Sequence, residues 1–196
     1  MIVVGVGCSP GMLTMDAVDR LKKAKSVYGS DRALDMVRQY LPAGCRTVTL
    51  KDFSHLNELP EDSVVLSTGD PMLAGLGHLG EEVVPGISSM QCAFSRLRLP
   101  LTKAVVVDAH GKDEESARRE MLDEVERGRI PFILTEPGFD IMALCRTMRD
   151  RGLICKVIAC ENLGYPDEMI SFGDAERPPV ITSRLFSLVL VKEGCR

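Results

Sequence analysis

The chain opens Met1-Ile2-Val3-Val4-Gly5-Val6-Gly7-Cys8-Ser9-Pro10-Gly11-Met12-Leu13-Thr14 and runs on through an amphipathic stretch to Lys25. A β-branched run, a glycine turn and a helical period follow one another. This predicts a buried strand over Ile2 to Val6 and a helix over Thr14 to Lys25. Thr14 is a natural N-cap, and Ala17, Val18, Leu21 and Ala24 form the apolar stripe. Strand, glycine turn and helix in this order open an α/β fold.

The alternation continues outward from that stretch. Ser26 to Tyr28 reads as a short strand, and Asp31 is expected to cap a second helix with Leu34, Val37 and Leu41 on one face. Pro42 should end that helix. Arg46 to Leu50 and Ser63 to Ser67 are the next strands. A glycine-rich stretch (Gly69, Asp70, Pro71, Gly75, Gly77, Gly80) leads to Val83-Val84-Pro85-Gly86, read as a turn, and to a helix starting near Ser88. Pro100 closes this half, and a boundary near Leu99 to Lys103 gives domains 1–100 and 101–196. The second half restarts with strands at Ala104 to Asp108, Ile130 to Leu134 and Lys156 to Cys160, and helices at Glu114 to Arg127 and Asp140 to Arg151. Glu168 to Phe172 and Leu185 to Val191 look like strands with no helix between them, which implies an antiparallel finish.

Composition narrows the function classes. The 196 residues are 45% hydrophobic and 27% charged, the mix of a globular protein with room for one ordinary domain or two small ones. A net charge of −4, no Trp and 5% aromatics disfavour a nucleic-acid partner, which asks for basic surface and stacking platforms. No apolar run approaches the roughly 20 residues of a membrane span. The N-terminus has no basic region or cleavage pattern, so it reads as the first strand of a mature cytoplasmic protein. The 7 Cys are odd in number and scattered, no Cys-x-x-Cys occurs, and His55, His78 and His110 are the only histidines. Reduced, partly buried thiols are expected, and no zinc site.

Three stretches are candidates for chemistry. Gly5 to Gly11 invites a dinucleotide reading with Asp31 as the ribose acid, but the third glycine of Gly-x-Gly-x-x-Gly falls at Pro10 and the helix starts too late. Ser67 to Gly75 follows an apolar strand and holds Gly-Asp-Pro. Ligands of open α/β sheets bind beyond the carboxyl ends of strands, yet the same residues also suit a plain turn. Pro85-Gly86-Ile87-Ser88-Ser89-Met90-Gln91 offers amides and hydroxyls to a ligand, or a cap to the following helix.

Taken in order, these pieces resemble the tetrapyrrole methylase family: the glycine turn with Leu13-Thr14, Gly29 to Arg32, Gly69-Asp70-Pro71 and Pro85-Gly86-Ile87-Ser88-Ser89. Ala109-His110-Gly111-Lys112, Leu134-Thr135 and Glu161-Asn162-Leu163-Gly164-Tyr165-Pro166-Asp167-Glu168 resemble its cobalt-precorrin carbon-5 branch. The resemblance covers essentially the whole chain. It implies two α/β domains with S-adenosylmethionine in the cleft between them, S-adenosylhomocysteine as product, a homodimer, and methylation of carbon-5 of cobalt-precorrin-6B to cobalt-precorrin-7. Carried over by position, the donor would meet Cys8, Gly69, Asp70, Leu73, Ser88, Ser89, Leu134 and Leu163. Two features depart from the pattern. The connection from Gly77 to Pro85 is shorter than the family's usual one, which often holds a helical turn and a strand. Lys112 stands where the family has Arg, losing bidentate reach toward a carboxylate.

Methyl transfer from a sulfonium is an in-line displacement that needs alignment and exclusion of water, with no metal and no protein nucleophile. His110 is the candidate general base or acid, or else a structural histidine bonding its loop. Arg32 and Lys112, with Arg96 and Arg98, are candidates for the carboxylates of the substrate, though each also reads as a solvated charge. Met72 and Met90 read as core filler. Other acceptors (another precorrin position, a diphthamide precursor, ribosomal RNA), a nicotinamide oxidoreductase and a non-catalytic S-adenosylmethionine-binding partner are the competing readings.

Overall fold

The computed structural model describes residues 1–109 and 113–194, which fall into two compact units, Met1–Cys92 and Ala93–Arg196. The first unit is built on a five-stranded sheet that is parallel throughout. Its strands are β1 (Ile2–Gly5), β2 (Ser26–Gly29), β3 (Arg46–Thr49), β4 (Val64–Ser67) and β5 (Glu82–Val84), in the order β3-β2-β4-β1-β5. The apolar pattern of β4, buried at all four positions, is what a parallel sheet covered on both faces demands.

Helices α1 (Met15–Leu21) and α2 (Asp31–Val37) cover one face. Ala17, Leu21, Ala33, Leu34, Met36 and Val37 pack there on Val4, Val27, Val64 and Leu66. The other face is closed by Val3, Tyr28, Val65 and Leu56, with Phe53, Leu59 and Leu76 against them. Thr14 caps α1 as expected, its Oγ1 accepting from Ala17 N at 3.1 Å while donating to Pro85 O at 3.1 Å. The cap of α2 is Ser30, not Asp31: Ser30 Oγ accepts from Ala33 N, and Asp31 stands in the first turn, where its charge suits the helix dipole. α2 stops at Val37, ahead of Pro42, and tightens into a single 3-10 turn at Arg38–Tyr40.

A correction concerns Val83 and Val84. They are not a turn but belong to β5, which pairs with β1 through Val3↔Val83 and Val4↔Val84. The short Gly77–Pro85 connection therefore still holds a 3-10 turn (Gly77–Leu79) and a strand. Between β4 and β5 lies α3 (Pro71–Ala74), and after β5 comes α4 (Ser89–Leu97).

The second unit carries β6 (Ala104–Asp108), α5 (Glu114–Glu126), β7 (Ile130–Leu134), α6 (Ile141–Asp150), β8 (Cys155–Glu161), β9 (Met169–Gly173) and β10 (Phe186–Lys192). The sheet order is β6-β7-β10-β8-β9. β6 and β7 are parallel, and every pair from β7 onward is antiparallel, as the loss of helices near the C-terminus implied. α5 and α6 cover one face, burying Met121, Leu122, Leu144 and Met148 against Val107, Ile133, Val157 and Leu188. No helix among the described residues is long and apolar enough to cross a membrane.

Candidate functional site

β1 and β4 form a topological switch point of the first sheet. From β1 the chain crosses over β4 to reach β2, and from β4 it crosses over β1 in the opposite direction to reach β5. The loops leaving the carboxyl ends of β1 and β4 therefore lie side by side and run in opposite directions, and such strand ends are where open α/β sheets take ligands.

Those loops are stitched together by backbone. Gly7 N donates to Gly69 O at 3.2 Å, and Gly69 N donates to Gly7 O at 2.7 Å. Cys8 N donates to Ile87 O at 3.0 Å, which adds the segment after β5. The approach is close enough that only glycine fits: a Cβ on Gly5 would stand 2.5 Å from Gly86 N, and one on Gly86 would run into Gly69 O. Gly69 (φ +74) lies with its Cα facing that of Ser88, its ideal Cβ position 3.9 Å from Ser88 Cα. Cys8, Gly69, Asp70 and Ser88 are thus gathered at one end of the sheet, with Leu73 on the following turn of α3.

The polar side chains at this end have local duties. Asp70 Oδ1 caps α3 by accepting from Met72 N at 2.9 Å, and Oδ2 accepts from Gly86 N at 3.1 Å. A carboxylate has about four acceptor sites, so this work leaves capacity for a ligand. Ser88 forms a reciprocal cap with Gln91: Gln91 N donates to Ser88 Oγ at 3.2 Å, while Ser88 N and Oγ both donate to Gln91 Oε1. Ser89 is half-buried at the first turn of α4. The hydroxyls of Ser9 and Ser67, fully enclosed at the ends of these loops, have no protein hydrogen-bond partner. At Gly69 the Cβ position meets nothing closer than 3.9 Å, so a ligand can approach the main chain there. Cys8, hydrogen-bonded to the Cys92 thiol and buried, is pushed well above the usual thiol range. Arg32 is exposed on α2, and its charge opposes that shift. Asp31 accepts from Thr49 Oγ1 at 2.7 Å.

In the second unit Leu134 ends β7 and Leu163 follows β8. Leu134 and Cys160 are both register partners of Ser187, so these two strand ends share one end of the sheet. Leu163 is buried and Leu134 half-buried. His110 and Lys112 lie outside the described residues; Ala109, just before them, donates its N–H to Leu134 O at 3.0 Å. Arg96 pairs with Glu168 at 2.8 Å. Burial raises the Glu168 carboxyl, but the Gly164 N–H and the Arg96 guanidinium outweigh it and hold the group below the usual range. His55 is exposed and bonded to Glu58, and His78 is exposed. Met72 is not core filler, being 69% exposed.

Two features escaped the sequence. Glu161 is a buried latch: its Oε2 accepts from Thr182 N at 2.7 Å, Thr182 Oγ1 at 3.0 Å and Ser183 N at 2.5 Å. The held segment forms part of a cavity of about 410 Å³, walled by Phe139, Met142, Pro179, Ile181 and Phe186, with Arg184 among its lining residues. The Pro178-Pro179 pair was its one trace in the sequence. None of the expected site residues lines it.

Known proteins give a consistent comparison. The family model described as Tetrapyrrole (Corrin/Porphyrin) Methylases matches residues 1–178. A protein of Methanocaldococcus jannaschii named probable cobalt-precorrin-7 C(5)-methyltransferase is 28% identical over 190 residues, covering 86% of each chain. The crystal structure of the cobalamin biosynthesis precorrin-6Y methylase from Archaeoglobus fulgidus superposes with a TM-score of 0.76 at 28% identity, covering 98% of both chains. A putative diphthine synthase from Entamoeba histolytica shares the fold alone, with a TM-score of 0.71 at 13% identity over 100% of this chain and 93% of that one. With its stitched glycine loops at the switch point and a family match across nine-tenths of its length, the chain belongs to the tetrapyrrole (corrin/porphyrin) methylases, a family of methyl-transferring enzymes.

Proposed function

We propose that this chain transfers a methyl group from S-adenosylmethionine to carbon-5 of cobalt-precorrin-6B, giving cobalt-precorrin-7 on the anaerobic route to cobalamin. The observation that carries the donor half is the glycine-stitched pair of loops after β1 and β4, joined to Ser88 through Ile87. The acceptor half is supported by the archaeal relative named for the carbon-5 reaction, matched along most of both chains.

When bound, the donor would supply an electrophilic sulfonium methyl that an electron-rich ring carbon attacks in line, with S-adenosylhomocysteine as the leaving group. The chain's own residues align and shield. Asp70 and Ser89 offer polar groups to the donor, and the Gly69 backbone permits close approach. Leu73, Leu134 and Leu163 cover its apolar parts, and Cys8 fills the turn beside it. His110 moves the proton released from the ring. Arg32 and Lys112 bind substrate carboxylates, Lys112 as a point charge. The protein works as a homodimer, which light scattering would register as twice the chain mass.

Calorimetric titration with S-adenosylhomocysteine tests the donor half, with NADH as the parallel ligand. Saturable micromolar binding of the first and none of the second is expected, and binding of NADH alone would overturn the reading. Asp70→Asn keeps an acceptor for the α3 cap while removing the charge. It should weaken S-adenosylhomocysteine at least tenfold, about 1.4 kcal/mol; a change within twofold removes Asp70 from the donor site. Turnover of cobalt-precorrin-6B, with the methylated position read by NMR, tests the acceptor half. His110→Ala turning over at the wild-type rate would take His110 out of the chemistry.

A further inference from the structure

Three sulfur atoms from two distant stretches of the chain meet inside the first unit. Cys8 Sγ lies 3.3 Å from Cys92 Sγ and 3.4 Å from Met12 Sδ, and Cys92 Sγ lies 3.3 Å from the same thioether. The triangle is nearly equilateral, and its centre is about 1.9 Å from each sulfur. Both thiols are at least nine-tenths buried, while Met12 is half-buried.

The backbone holds all three residues independently of these contacts. Cys8 N is tied to Ile87 O at 3.0 Å, Cys92 N to Ser88 O at 3.1 Å and Met12 N to Ser9 O at 3.3 Å. Gly7, at φ +80, lets the loop fold Met12 back over Cys8; a Cβ there would stand 2.5 Å from Met12 O and 2.6 Å from Met12 Cβ. The sulfurs are therefore preorganised, which is the main requirement for a metal site. Among the described residues no three His, Cys, Asp or Glu gather in this way, so the third donor is a thioether.

That donor set is chemically selective. Thiolate and thioether sulfur are soft ligands that favour Cu(I), and they offer nothing to hard, oxygen-seeking ions such as Mg²⁺ or Ca²⁺. At a metal–sulfur distance of about 2.3 Å, each sulfur retreats by about 0.4 Å, a movement within reach of small side-chain rotations.

We propose that Cys8, Cys92 and Met12 form a trigonal binding site for a soft monovalent cation, Cu(I). The two thiols lose their protons to solvent as two copper–sulfur bonds form. Met12 supplies a lone pair, and no electron is transferred, so the ion enters and stays as Cu(I). A bound ion ties the loop after β1 to α4.

The test needs neither donor nor tetrapyrrole, so it stands or falls apart from the methyltransferase reading. The reduced full-length chain is titrated without oxygen against Cu(I) held by the coloured chelator bicinchoninate. One equivalent should pass to the protein, and X-ray absorption should report three sulfur neighbours. The Cys8→Ser/Cys92→Ser variant should lose that equivalent, while Cys45→Ser and Cys160→Ser keep it. Met12→Leu, a swap that conserves volume and keeps the fold if the double variant does not, should weaken the transfer at least tenfold. Failure of the wild type to take Cu(I) from the chelator overturns the site. So does an unchanged equivalent in the double variant, or full affinity in Met12→Leu.

Discussion

A methyl group added at Gly86 would run into the carbonyl oxygen of Gly69, and at Gly11 the same methyl would meet nothing within 4 Å. The two glycines carry different burdens. Gly86→Ala should destabilise the protein by about 3 kcal/mol or more, because backbone has to move. Gly11→Ala should cost only about 1 kcal/mol, the strain of its positive φ. Urea unfolding of the two variants separates these outcomes. Residue identity alone did not distinguish them, since both are turn glycines in the sequence. The cap of α2 shows the same limit. Ser30 and Asp31 are both good caps and adjacent, and the choice falls to Ser30 by one residue of strand length, β2 running through Gly29. Thr14 had no such competitor, and its cap was legible.

At the scale of elements, the apolar runs of β4, β6 and β10 made those strands legible in the sequence. β5 was hidden because only three residues pair and Pro85-Gly86 follows at once. Its pairing with β1 is a tertiary fact that local pattern does not contain. The turn between β8 and β9 illustrates electrostatics of the same kind. Glu168 bonds Gly164 N–H and Arg96, and its carboxyl is held below the usual range despite burial. A carboxyl depressed in the folded state stabilises at pH above its unfolded value, near 4.3, and the contribution fades as pH falls through the folded value. Wild type should therefore lose stability on acidification below about pH 4.3 more steeply than Glu168→Gln, a difference that thermal melts across that range would show. Glu161→Ala should cost about 3 kcal/mol, because three donors at Thr182 and Ser183 lose their acceptor together. Hydrogen exchange at those two amides should rise with it.

For the whole molecule, the parallel sheet of the first unit and the mixed sheet of the second follow from where helices intervene between strands, and both were readable. The spatial order of the strands was not, since alternation says that strands are parallel but not which one lies in the middle. That order decides the site: Gly7 and Gly69 meet only because β4 lies beside β1. His110 and Lys112, the chemistry that the family resemblance supplied, lie outside the described residues and stay with the turnover experiments.

The position of β4 also has a consequence for how the protein is made. β1 and β2 never pair with each other; the slot between them is filled by a strand synthesised some forty residues later. Until Ser67 has left the ribosome, the nascent chain holds two apolar strands with facing edges unmet, and such edges recruit other chains. A fragment ending at Glu61 should therefore show no cooperative melting and should aggregate, whereas one extending through Leu97 should not. The delay is a built-in window of vulnerability in biogenesis, set by strand order rather than by the stability of the finished protein.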